Sequence, residues 1–101
     1  MHLVQLLLPI YDRNGQPAGG HDFAAVRREL TEHFGGVTAY TRAPAVGTWK
    51  RAGDVEHDDS IMIEVVVDVL DRDWWAKYRA QLEHNFGQEM ILARAIEIVK
   101  L

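Results

Sequence analysis

The stretch IMIEVVVDVL at residues 61–70 decides the fold. Ile61, Ile63, Val65, Val67 and Val69 are β-branched and fall on every second position, the pattern of a strand. The intervening residues, Met62, Glu64, Val66, Asp68 and Leu70, are still largely apolar. A strand apolar on both sides belongs in the interior of a sheet rather than at its edge. LVQLLLPI at residues 3–10 has the same character, with Val4, Leu6, Leu8 and Ile10 on one face and Leu3, Gln5, Leu7 and Pro9 on the other. Two weaker strands are expected, from about Val37 to Arg42 and from Met90 to Val99. Their polar interruptions mark them as edges, and a short helix is the alternative for the last segment.

Two helical stripes separate these strands. Phe23, Val26, Leu30 and Phe34 recur at three-and-four spacing behind Asp22, a suitable N-cap, and Gly35-Gly36 closes the segment. Trp75, Tyr78, Leu82 and Phe86 do the same behind Asp71 or Asp73, and Gly87 closes it. The two stripes match at an offset of 52 residues (23 to 75, 26 to 78, 30 to 82, 34 to 86), with Ala24/Ala76, Arg27/Arg79 and Gly35/Gly87 identical. Either two related halves or convergence of amphipathic helices on similar residues produces that match. Both require equivalent helices.

The order is therefore β-α-β-β-α-β. Right-handed crossovers interleave two such units into a four-stranded antiparallel sheet of order 4-1-3-2, an α+β arrangement with two helices on one face. That order places the two richest apolar strands at the centre. Residues 43–60 are long for a link between antiparallel neighbours. Within them Thr48-Trp49-Lys50 and Val55-Glu56-His57 flank Arg51-Ala52-Gly53-Asp54, so strands two and three can project as a hairpin arm able to embrace a second subunit.

This pattern resembles the ferredoxin-like fold and, within it, the dimeric α+β barrel proteins, in which two such sheets pack together. Gly35-Gly36-Val37-Thr38 through Gly47-Thr48-Trp49, with Glu64-Val65 and Trp74-Trp75, resembles a small bacterial protein family of uncharacterised activity. The resemblance implies the fold and a sheet-to-sheet homodimer, and no particular reaction.

Composition narrows the function. At 101 residues the chain is expected to form a single domain. No cysteine is present, which removes disulfides, thiolate metal sites and a cysteine nucleophile, and fits a reducing, cytoplasmic setting. Net charge is −4 with the basic residues dispersed, so nucleic acid is not an expected partner. The apolar run 3–10 is too short to span a bilayer and lacks the flanks of a leader, so no membrane is expected either.

With both helices on one side, the opposite sheet face carries Leu3, Leu7, Met62, Val66 and Leu70, which water alone should not cover. Gln5, Glu64 and Asp68 share that face by period two and give an apolar field a few polar points, the composition of a small-molecule pocket. Plain hydrogen bonding of Gln5 and Glu64 across a dimer interface, or solvation of Asp68 at a strand end, is the simpler explanation of the same residues. Tyr11 and Asp12 at the mouth of strand one, and Tyr40 and Arg42 on strand two, are further ligand candidates. One bulge would reverse the face of the last two. Trp49 needs apolar cover, either as a core or interface plug or as a ligand-stacking ring.

Glu56, His57, Asp58 and Asp59 form a compact cluster of proton carriers. No His-x-His or H-E-x-x-H spacing accompanies it, so a solvated acidic turn is expected, with no metal and no cofactor. His33 and His84 close the two helices, where positive charge suits the dipole. Trp74 cannot share the stripe of Trp75 and is expected under a loop or against a subunit.

Three functions fit: a homodimeric module binding a small ligand or protein through the uncovered face; a cofactor-independent isomerase or oxygenase of the sort found among dimeric α+β barrel proteins, implied by that resemblance alone, with Glu64 or His57 as base and Tyr11 or Arg42 to orient substrate; and a purely structural or regulatory interaction protein.

Overall fold

Eight aliphatic-rich residues form the first strand, β1 (His2–Pro9), and the 61–70 stretch supplies its neighbour. The computed structural model describes the chain except residues 12, 13, 18, 19, 46, 47, 52, 53 and 58; at 20–22, 42–45, 49–51 and 54–57 it describes the backbone alone. The elements continue as α1 (Gly20–Phe34), β2 (Thr38–Ala45), β3 (Thr48–Arg51), β4 (Asp54–His57), β5 (Ser60–Val67), α2 (Arg72–Asn85) and β6 (Ala93–Glu97). The main sheet runs β2-β5-β1-β6, all antiparallel. Written for four strands this is the expected 4-1-3-2 order, with the two most apolar strands central.

β1 and β5 pair from His2 against Val67 to Pro9 against Ser60. That register sets Val4, Leu6 and Leu8 beside Val65, Ile63 and Ile61 on one face. All six are buried, and they form one cluster with Val26 and Leu30 of α1, Trp75, Tyr78 and Leu82 of α2, Phe86 and Ile91. Both helical stripes thus meet the same side of the sheet. Burying a Leu, Val or Ile side chain is worth about 1.5–3 kcal/mol, so this face is the main favourable term in folding.

The helix ends follow local chemistry. Asp71 caps α2, its carboxylate accepting from the Trp74 amide at 3.1 Å. Gly35 at φ 87° and Gly87 at φ 63° end the two helices in the left-handed region. The backbone of α1 begins at Gly20, two residues before Asp22, so Asp22 lies within the helix and not at its N-cap position.

β5 stops at Val67, short of Leu70, and a bend at Asp68 and Val69 follows. Alternation ends there. Leu70 packs against the helix-side core instead of joining the open face, and Asp68 is exposed beyond the strand. The long connection contains regular structure, as expected: β3 and β4 pair with each other from Thr48 against His57 to Arg51 against Asp54, in a sheet of their own. The final segment is the edge strand β6, not a helix. No helix among the described residues is long and apolar enough to cross a membrane.

Trp74 packs not under a loop but between the helices, against the core cluster. Its ring joins an aromatic cluster between the helices, stacked on His33 at 4.4 Å and edge-on to Phe34 at 5.0 Å and Trp75 at 4.9 Å.

Candidate functional site

The sheet face turned away from the helices is built by strand register. Gln5 lies opposite Glu64 on one side and Arg94 on the other, and Glu64 lies opposite Thr38 of β2. The rows beside it are apolar. Leu3 stands between Val66 and Ile96, and Leu7 is paired with Met62, which in turn faces Tyr40. Val66 is 51 % exposed, Ile96 49 % and Tyr40 48 %, so this face does meet solvent in the single chain.

Along the central row a chain of short hydrogen bonds crosses all four strands. The Tyr40 hydroxyl donates to Glu64 Oε1 at 2.7 Å, and Gln5 Nε2 donates to Glu64 Oε2 at 2.7 Å. Arg94 Nε donates to Gln5 Oε1 at 2.7 Å. The Gln5 amide, 9 % exposed, also lies 3.7 Å from the Met62 sulfur. Side chains of the neighbouring strands shield it, Met62 and Glu64 from β5 and Arg94 from β6 among them. The Tyr40 phenol is raised above its ordinary pKa, first by its hydrogen bond to Glu64 and then by the charge of that carboxylate. It therefore stays a proton donor.

The arrangement orients groups rather than freeing a base. Each Glu64 oxygen already accepts a donor, and Gln5 is locked by two bonds given, the weaker to the Met62 sulfur, and one received. Among the described residues Arg94 bonds through Nε alone, which leaves the two terminal nitrogens of its guanidinium as a fork suited to a carboxylate or another planar acceptor.

Three of the residues singled out from sequence, Gln5, Tyr40 and Glu64, are thus brought together. Tyr11 is not among them. It is 50 % exposed, is bridged to Pro17, has its carbonyl bonded by Gln88 Nε2 at 3.0 Å, and lies six residues past Gln5, on the order of 20 Å along an extended chain. Asp12 lies outside the described residues. Arg42 sits in β2, Trp49 in β3 and His57 in β4, and their side chains are likewise outside them. The β2–β5 register shifts between Tyr40 and Ala45, the irregularity that makes the face of Arg42 unreadable from alternation. Of the acidic cluster only Asp59 is fully described: its backbone carbonyl accepts from the Ile10 amide, and one buried carboxylate oxygen has no hydrogen-bond partner. Among the described residues no three His, Asp or Glu side chains converge as metal ligands would.

Arg94 was missed by pattern reading, which treats it as an interruption in an edge strand. The usable signal was register: once β6 runs antiparallel to β1, parity places Arg94 on the face of Gln5.

No family model and no curated protein matches this chain. Solved structures do. A divalent cation tolerance protein (Cut A1) from Thermus thermophilus superposes at TM-score 0.65 with 13 % identity, over 99 % of this chain and 86 % of its own. The PII-like protein CutA from Nostoc sp. PCC 7120 gives 0.60 at 15 % identity, over 97 % and 81 %. A phage SAM lyase in complex with S-methyl-5'-thioadenosine gives 0.60 at 17 %, over 95 % and 80 %. The likeness is one of fold. It establishes the ferredoxin-like α+β architecture across the chain and leaves the resemblance to a particular bacterial family at that level.

Proposed function

We propose that the chain is a homodimeric, cytoplasmic binding module for a small organic molecule, a single domain whose open sheet face is the working surface. The observation that carries this reading is the Tyr40–Glu64–Gln5–Arg94 row set in an apolar field. An apolar strip of exposed Val66 and Ile96 with half-buried Leu3 and Leu7 favours a second copy as cover, and the locked polar row sets the Arg94 guanidinium at the seam for a ligand. The structural neighbours support a small module of this kind: one is named a PII-like protein, and another holds S-methyl-5'-thioadenosine. The β3–β4 hairpin, carrying Trp49 and His57, is the element suited to reach the second copy, with Arg42, Tyr11 and Asp12 as outer contacts.

The proposed ligand is an acceptor-bearing small molecule, with no metal or cofactor required. Catalysis by Glu64 is the weaker reading, because both its oxygens are engaged and its phenol partner is held protonated. Sedimentation at micromolar concentration tests the proposal, with Val66→Lys/Ile96→Lys as the variant. The wild type is expected to be a dimer, and the variant a folded monomer by circular dichroism. A wild-type monomer whose melting temperature no metabolite shifts would overturn it. A larger closed oligomer dissolved by the same substitutions would overturn the copy number and retain the face.

A further inference from the structure

Rings hold α1 and α2 apart on the far side of the molecule from the open sheet face. His33 stacks on Trp74 with planes 10° apart, Trp74 stacks on Tyr78 at 5.0 Å and 19°, and Phe34 lies flat on Trp75 at 5.1 Å and 6°. Side chains this thick leave a cleft of about 470 Å³ between the helices, walled by Glu29, Glu32 and His33 of α1 and by Trp74, Lys77 and Tyr78 of α2. That volume lies in the ordinary range of small-molecule sites.

Three observations specify its occupant. Glu29 and Glu32, three apart, share one face of α1, and among the described residues neither forms a salt bridge, even with Lys77 across the cleft. The aromatic floor presents ring faces whose quadrupole attracts positive charge. Tyr78 is 6 % exposed, and its hydroxyl is buried without a hydrogen-bond partner, a rare condition in folded proteins. Burial, and then the charge of the nearby Glu29 carboxylate, raise its pKa. Two carboxylates exclude an anion. An uncharged aromatic ligand would leave both unused.

We infer that the cleft between α1 and α2 binds a small organic cation, an alkylammonium or guanidinium whose charge lies between Glu29 and Glu32 and whose apolar stem packs on Trp74 and Tyr78. Lys77, on the opposite wall, competes with the ligand's charge and limits its affinity. This site is independent of the open sheet face.

Titration of the full chain with butane-1,4-diamine and, separately, butylguanidinium tests it, with butane-1,4-diol as the uncharged match. The readout is the indole N–H resonance of Trp74. Both cations should give saturable shifts and the diol none. Glu29→Gln/Glu32→Gln should weaken binding roughly tenfold, as loss of two partly solvated ion pairs implies. Lys77→Ala should tighten binding, and Glu64→Gln on the open face should leave it unchanged. Equal shifts with the diol, no saturation, or weaker binding in Lys77→Ala would overturn the assignment. The Lys77 variant keeps the test decisive if the double variant fails to fold.

Discussion

Glu64→Ala isolates the worth of the cross-sheet row. The substitution removes the acceptor of the Gln5 amide and of the Tyr40 hydroxyl together. Tyr40 is half exposed, so water replaces its bond at little cost. Gln5 is 9 % exposed and would keep only the weak Met62 sulfur as acceptor, and a buried donor that loses its strong partner costs about 1–3 kcal/mol. At about 4–8 °C per kcal/mol for a domain near this size, the melting temperature should fall by roughly 5–20 °C. Glu64→Gln keeps an acceptor and loses only charge assistance, so it should cost under about 1 kcal/mol. Gln5→Leu/Glu64→Leu removes both partners and should recover most of the loss, giving a coupling of at least ~0.5 kcal/mol in a double-mutant cycle. Urea unfolding at two protein concentrations separates this from dissociation. A Glu64→Ala cost below about 0.5 kcal/mol with no coupling to Gln5 would refute the claim that shielded hydrogen bonds on this face contribute to stability.

Other positions give sharper single readings. Leu6, fully buried under both helices, should lose about 3–5 kcal/mol as Leu6→Ala, measured by denaturant midpoint; a loss under ~1 kcal/mol would contradict the core assignment. Gly35→Ala meets no atom within 4 Å but must hold φ 87°, so it should cost about 1 kcal/mol through backbone strain alone, whereas Gly36→Ala, with open space and no such φ, should be neutral or slightly stabilising. Asp71→Ala should cost ~1 kcal/mol by removing the α2 cap, with fraying visible in amide exchange at Trp74. Burial first, then Glu29, raise the Tyr78 phenol above 10.0, so the folded chain holds this proton more tightly than the unfolded one. That contribution is complete below pH 10 and is lost as pH rises from there toward the folded-state value; Tyr78→Phe should flatten the stability profile in that window, and an unchanged slope would count against it.

The fold was legible because its signals are periodic. Two apolar strands, two ring-bearing stripes 52 residues apart and two closing glycines leave one economical topology, and those features reappear as β1, β5, α1, α2 and the left-handed turns at Gly35 and Gly87. Misreadings occurred where propensity continued past the element. Val69 is as β-branched as Val67, so nothing in residue type announces the bend at Asp68 that turns Leu70 to the core. Gly20 is a poor helix former, so α1 reads as starting behind Asp22, although its backbone is helical from Gly20. Half of the polar row was visible, since Gln5 and Glu64 share a face by parity. Arg94 and the His33–Trp74 stack depend on how separate elements align in space, which spacing within one element cannot reveal.

Because the hydrogen-bonded row begins on one outer strand and ends on the other, it acts as a crossbeam under the sheet's width. Edge strands ordinarily fray by themselves, yet here loosening β2 would slacken Glu64, then Gln5, then the grip on β6. Amide protons of β6 should therefore exchange faster in Tyr40→Phe, about 14 Å from the altered strand. Whatever docks along one rim of the sheet would then be registered at the other.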